Sequence, residues 1–221
     1  MAFLRERRFE PGEKLPSERY LSEKFGIGRN ALREAIASLT ALRVLESRPN
    51  SGIYLKDLSA ESSVDAMVLF SELGEAPSTK EITDMLETRA GLEVQAITLA
   101  CDRRTEADLT ALEQTVRQTE QTLKEGGNIA ELDQVFHMQL AGASHNAVIL
   151  RILHGFYRIS MERRRVYFVD LKAGRRTAKQ HRALFEALKA RDVQTARDLI
   201  ASHVDTGMRY WVSVYSAGAQ R

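Results

Sequence analysis

The sequence predicts a mostly α-helical chain in two parts: a small N-terminal unit that carries the strands, then an all-α bundle of six to seven helices. Three observations carry this. Three of the four prolines (Pro11, Pro16, Pro49) fall in the first 50 residues, beside the only plausible strand stretches. Beyond a polar stretch, "DLSAES" at 57–62, apolar residues recur at helical spacing to the end of the chain. The charge is also divided: residues 1–56 hold 11 Lys and Arg against 7 Asp and Glu, and residues 57–221 hold 21 against 23. The basic excess sits N-terminally, as in an anion-binding module.

Hydrophobic residues at 43% and charged residues at 28% are those of an ordinary soluble globular protein. No apolar run approaches the roughly 20 residues of a membrane span, so no membrane partner is expected. "MAFLRERRFEPGEK" lacks the apolar core of a signal peptide, and a single cysteine, Cys101, excludes an internal disulfide framework. A reducing cytoplasm is the expected setting, with Cys101 a core residue.

In chain order, "SERYLSEKF" is a helix opened by Ser17 as N-cap with Glu18 behind it, and "RNALREAIASLTAL" is a second helix after the turn "GIG". "RVLESR" and "GIYLKD", joined by "PNSG", form a hairpin. Helix, tight turn, helix, hairpin is the order of a winged helix-turn-helix domain, read here over 1–56. After the 57–62 linker, helices are expected near 62–73, 79–102, 105–125, 129–143, 147–170, 175–190 and 192–216, with breaks at "GG", "SHN", "KAG" and "RD". Residues 63–221 make the second domain.

The first turn of the second helix in such a unit enters the major groove, so its outward side chains should be polar or basic. Gly28, Arg29, Asn30 and Arg33 occupy it, while Ala31, Leu32, Ile36 and Leu39 supply the inward stripe. Arg29 or Arg33 suits a guanine edge, Asn30 an adenine or a phosphate, and Arg19 the backbone. A solvated basic helix in a protein-interaction module is the bland alternative.

In the helical domain, "AELDQVFHMQLAGASHN" puts Asp133 and His137 four positions apart, inside the arc that carries Ile129, Phe136 and Leu140. A charge there needs a partner. His181 shares an arc with Leu184, Phe185 and Leu188; His203 shares one with Leu199, Ile200, Tyr210 and Val214. One helix, a two-residue break and half of the next separate these histidines, a length that lets antiparallel helices bring both imidazoles together. Three imidazoles and a carboxylate suit a divalent transition metal, zinc first, with nickel, manganese or iron as alternatives, and leave coordination positions for a ligand. Each residue alone is more simply a hydrogen-bonded core group.

His145 and His154 are read as structural. Arg89 shares its arc with Ile82, Ala96 and Ala100 and has Glu93 one turn on. Either the two form an internal pair or Arg89 fixes the far end of an anionic effector. Asn146, Tyr157 and Arg158 are further candidates for the pocket wall. "ERRRVYF", 162–168, is read as a solvated face or dimer margin.

Residues "FEPGEKLPSERYLSEKFGIGRNALREAIASLTALRVLESRPNSGIYL" closely resemble the DNA-binding domain of the GntR family of bacterial transcription regulators. The resemblance implies operator contact by Arg19, Arg29, Asn30, Arg33 and the wing around Asn50, Ser51 and Gly52. Two features depart from the family: Gly28 stands where Ser or Thr is usual, and "MAFLRERR" is shorter than the family's first helix, which leaves the completeness of the chain start open. The all-helical second domain resembles the FadR-like subfamily with its FCD fold, whose metal-binding members carry an Asp and a His four apart and two later His. That implies Asp133, His137, His181 and His203 as ligands, and links the arginine equivalent to Arg89 to the effector pocket. The expectation is a homodimeric regulator, by inheritance a repressor, that binds double-stranded operator DNA and answers to a small carboxylate such as a hydroxy or sugar acid; it is not expected to be an enzyme. The rivals are a helical metalloenzyme with a DNA-binding appendage and a helical domain that only dimerises.

Overall fold

The computed structural model describes residues 2–75 and 77–218. The chain divides into two compact units, 1–75 and 76–221.

The first unit runs α1 (Ala2–Glu6), α2 (Glu18–Phe25), α3 (Arg29–Ala41), β1 (Leu45–Arg48), β2 (Gly52–Leu55) and α4 (Val64–Glu72). Ser17 caps α2 through its hydroxyl, which accepts from the Tyr20 N–H at 3.3 Å, and Gly26 ends it in the left-handed conformation at φ 64°. β1 and β2 pair antiparallel in the register Leu45 with Leu55 and Arg48 with Gly52. Gly52 is required by its φ of 135°, in the region that side chains rarely adopt. The core joins Leu15, Leu21, Leu32, Val44, Leu45, Ile53 and Leu55. Leu32 is buried and Ile36 and Leu39 pack on that core, but Ala31 is exposed, about 100° off the arc they share. α4, expected to open the helical domain, packs Ala66 and Phe70 into this same core.

The second unit contains α5 (Thr79–Arg103), α6 (Glu106–Lys124), α7 (Ala130–Ala143), α8 (Ala147–Ile159), α9 (Met161–Tyr167), α10 (Leu171–Lys189) and α11 (Val193–Gly218). Capping boxes open α5 (Ser78 with Glu81) and α6 (Thr105 with Asp108). α5 packs against α7, α8 and α11; α6 lies against α7 and α10, and α10 against α11. Ile97, Leu112, Phe136, Leu140, Leu153, Leu184, Leu188 and Ile200 fill the middle.

Two breaks differ from expectation. The helix expected over 147–170 is two: at Ser160 the hydroxyl turns back to the Phe156 carbonyl at 2.9 Å, and a new helix begins at Met161. Conversely, "KAG" does not interrupt α10, which starts at Leu171 on an Asp170 cap, with Asp170 Oδ1 accepting from the Lys172 N–H at 2.8 Å. Gly174 serves packing instead, since a Cβ there would stand 2.7 Å from Leu123 Cδ2. Among the described residues no helix is long and apolar enough to cross a membrane.

Candidate metal centre

α7 presents Asp133 and His137 one turn apart on its buried face; α10 brings His181 and α11 brings His203 to the same place. One ligand atom from each of the four lies within 4.8 Å of all the others. His137 Nε2 is 3.1 Å from His203 Nε2 and 3.9 Å from Asp133 Oδ1, and His181 Nε2 is 3.6 Å from that oxygen.

The outer hydrogen bonds fix which nitrogens are free to bind. Gln180 Oε1 is an acceptor, so His203 Nδ1, 2.9 Å away, donates, and the neutral ring keeps its lone pair on Nε2. His137 Nδ1 donates in the same way to Glu93 Oε2 at 2.5 Å. The two Nε2 atoms then face each other at 3.1 Å. His181, stacked on Phe136 at 4.0 Å and 11°, has no hydrogen-bond partner for either ring nitrogen among the described residues. Burial, and then the neighbouring imidazoles, push His181 well below its ordinary pKa and His203 down to about 3. Imidazoles converging with a carboxylate fit a divalent cation, and a carboxylate behind a ligating histidine is the usual outer support.

That support is extensive. Glu93, 1% exposed on α5, also accepts from Arg89 Nε at 2.6 Å and from the Tyr157 hydroxyl at 2.7 Å. Burial opposes its charge, but His137 and Arg89 outweigh burial and hold the carboxyl well below the usual range. Arg89 also bonds Tyr157, and Tyr157 lies against the His137 ring at 5.1 Å. Arg164 on α9 places Nε 3.5 Å from Asp133 Oδ2 and its Nη atoms on the Tyr157 carbonyl (3.1 Å), Ser160 (2.6 Å) and Gln134 (2.7 Å).

Beside the cluster is a cavity of about 50 Å³, lined in part by Asp133, His203, Arg89, Arg164, Gln180 and Trp211. Arg89 forms the internal pair with Glu93 and also lines the cavity. Tyr157 is fully buried behind the site, not on the cavity wall. Asn146 and Arg158 are not brought to it. Asn146 caps α8, accepting from the N–H groups of Val148 and Ile149, and Arg158 is exposed on the far side of the α8 turn from buried Tyr157 and Ile159. His145 stands at φ 50° with Nε2 3.2 Å from Asp108, and His154 is exposed.

Arg164, Gln180 and the Glu93 contact to His137 were missed from the sequence. Arg164 was hidden in "ERRRVYF", read as a solvated face; yet it is spaced three and four residues from buried Tyr167 and Phe168, which is a signal for an inward side chain. Glu93 likewise falls in the arc of Ile82, Ala96 and Ala100. Gln180 carries no such signal.

In the first unit, Arg19, Gly28, Arg29, Asn30, Arg33, Asn50 and Ser51 are exposed, and Gly52 is half-buried in the wing. Gly28 precedes α3 with no side-chain cap, and Asn50 takes φ 56° in the wing turn. Arg33 Nε bonds Glu18 at 2.8 Å.

Residues 2–55 match the family described as "Bacterial regulatory proteins, gntR family", and residues 84–206, more than half the chain, match "FCD domain". The chain belongs to the GntR family. Among relatives of this GntR protein is one named for regulating the L-lactate dehydrogenase operon in Escherichia coli (strain K12), 32% identical over 92% of this chain and 80% of the relative. The galactonate operon transcriptional repressor of the same organism is 27% identical over 88% and 87%, and the Bacillus subtilis (strain 168) regulator LutR 26% over 88% and 90%. A solved Streptococcus agalactiae GntR structure covers 95% of each chain at 26% identity with a TM-score of 0.53. An E. coli McbR/YncC structure, at 17% identity and a TM-score of 0.59, shows the shared fold. The family is one of transcription regulators, not enzymes.

Proposed function

We propose that this GntR regulator senses a small carboxylate, a hydroxy or sugar acid, at a divalent transition metal held by Asp133, His137, His181 and His203. The observation that carries the reading is the convergence of these four ligand atoms beside an arginine-lined cavity. The relatives named for the lactate and galactonate operons lend support, both compounds being hydroxy acids. A bound divalent ion, zinc first, supplies a Lewis-acidic centre for carboxylate and hydroxyl oxygens. The chain's own residues do the rest: Glu93 and Gln180 set the His137 and His203 tautomers, and Arg89 and Arg164 face the acid.

On the DNA side, the first unit forms the reader, with Arg19, Gly28, Arg29, Asn30 and Arg33 in the groove or on the backbone, and Asn50, Ser51 and Gly52 in the wing; α4 completes that unit's core, and the dimerising sensor is the second unit, 76–221. A homodimer places two readers on two half-sites of double-stranded operator DNA. Acid binding changes their spacing and releases a repressor. Thermal shift of the zinc-loaded protein against hydroxy, sugar and dicarboxylic acids, repeated on His181→Ala, tests the sensor. If no acid stabilises the wild type, or the variant responds equally, the metal-centred reading is wrong.

A further inference from the structure

Three hydroxyl groups of the described residues line the cavity beside the metal-ligand cluster, and two of them already carry a bond. Thr206 donates to the Ser202 carbonyl at 2.9 Å, and the Tyr167 hydroxyl accepts from Arg176 Nη2 at 2.8 Å. Thr177 on α10 is different. It is 3% exposed, and its hydroxyl makes no hydrogen bond among the described residues. Other threonines in these helices turn back to the carbonyl four residues earlier, as Thr98 (2.7 Å), Thr110 (2.9 Å) and Thr119 (2.8 Å) do. A buried hydroxyl that does not is left to find its partner in what enters the cavity. Gln180 stands one turn on, on the same face, and lines the same cavity. Its Oε1 accepts from His203 Nδ1 at 2.9 Å, and its amide N–H groups have no acceptor among the described residues.

Arginine only donates, so Arg89 and Arg164 suit a carboxylate and cannot take the proton of an alcohol. Asp133, an acceptor on the same wall, is turned to Arg164 and to the histidines. Threonine both donates and accepts, and an amide N–H supplies the second of the two bonds that an alcohol makes. We propose, resting on the reading above, that Thr177 and Gln180 read a hydroxyl group of the acid, Thr177 Oγ1 accepting its proton and the Gln180 amide donating to its oxygen, and so select a hydroxy acid over the plain acid of the same carbon skeleton. The plain acid leaves both groups without partners, and a site built to hydrogen-bond an alcohol discriminates through that loss.

Trp211 is the chain's single tryptophan and lines the cavity, so its fluorescence reports occupancy. The zinc-loaded full chain is titrated with three matched pairs: lactate and propionate, malate and succinate, gluconate and hexanoate. In each pair that binds, the hydroxy acid is expected to half-saturate at least about tenfold below its partner. Thr177→Val, which keeps the shape and removes the hydroxyl, is expected to bring the two within about threefold by weakening the hydroxy acid alone, and Thr177→Ser to keep the preference. Gln180→Glu still accepts from His203 but loses the N–H, and is expected to weaken the hydroxy acid at least about tenfold while zinc per chain stays at the wild-type level. The assignment is overturned if a plain acid binds as tightly as its hydroxy partner, if Thr177→Val weakens both members of a pair equally, or if Gln180→Glu binds as the wild type does; sensing of a carboxylate then still stands. Silence from all six acids on zinc-loaded protein overturns both.

Discussion

His137 and His203 meet with their Nε2 atoms 3.1 Å apart, while their Nδ1 atoms point away to Glu93 and Gln180. With both outer nitrogens donating, the Nε2 atoms are the ones turned to the cluster's centre, where a proposed divalent cation would take them as ligands. Removal of metal with a chelator is therefore expected to lower the melting temperature, and zinc to restore it. At a free zinc concentration of 100 Kd the recovery corresponds to about 2.7 kcal/mol. A melting temperature indifferent to chelator and zinc would count against the centre.

Glu93→Gln keeps the shape of the His137 support but removes its charge. Loss of such an outer carboxylate costs about 10- to 100-fold in metal affinity. It also leaves the half-buried Arg89 without its anion, at a cost below the about 3–5 kcal/mol of a fully buried pair. Competition with a chromophoric chelator reads the first effect and denaturant unfolding the second; wild-type values in both would show that Glu93 is a bystander.

The buried imidazoles predict acid sensitivity of the metal-free protein. His203 is held at about 3 against an ordinary 6.5, so between these values the unfolded chain binds a proton that the folded chain refuses. Stability is thus intact above about pH 6.5 and is lost as the pH falls below it, by about 2 kcal/mol at pH 5 from this group. His181, also depressed, adds in the same direction. Unfolding free energies that do not fall between pH 7 and pH 5, or that fall equally in a His181→Phe, His203→Leu double variant, would contradict this.

Arg33 is paired with Glu18 across α2 and α3 in the free protein. If Arg33 contacts DNA, that pair competes with the contact. Arg33→Ala is expected to weaken operator binding by about 1–3 kcal/mol if it reads a base, whereas Glu18→Gln, which frees the guanidinium, should strengthen binding slightly. Fluorescence anisotropy on labelled operator DNA across a salt series checks both signs.

Gly174→Ala is expected to destabilise the second unit by about 1–3 kcal/mol, because the added methyl meets Leu123 Cδ2 at 2.7 Å. Thermal unfolding that matches the wild type would mean that Leu123 moves aside at no cost.

Much of this was legible in the sequence where periodicity and chemistry agree. Asp133, His137, His181 and His203 each sit among apolar residues at helical spacing, and the Ser17 cap and the "PNSG" turn mark their elements directly. Legibility ended where a residue type had two uses. Gly174 reads as a helix stop, but close approach of α6 makes it a packing residue inside α10. Ser160 reads as a neutral helix position, but its hydroxyl rejoins the preceding turn and divides α8 from α9. Asn146 reads as a pocket residue and spends its side chain on a cap. Gln180 acquires its role solely from the tertiary approach of α10 and α11, which no local pattern encodes.

The division at Ser160 separates two tasks among the helices. Every proposed metal ligand comes from α7, α10 or α11, whereas Arg163 and Arg164 come from α9, only seven residues long and joined to α8 by that single break. Arg164 reaches from α9 to the proposed ligand Asp133 and to the cavity at once, so a change in this short helix is felt at both.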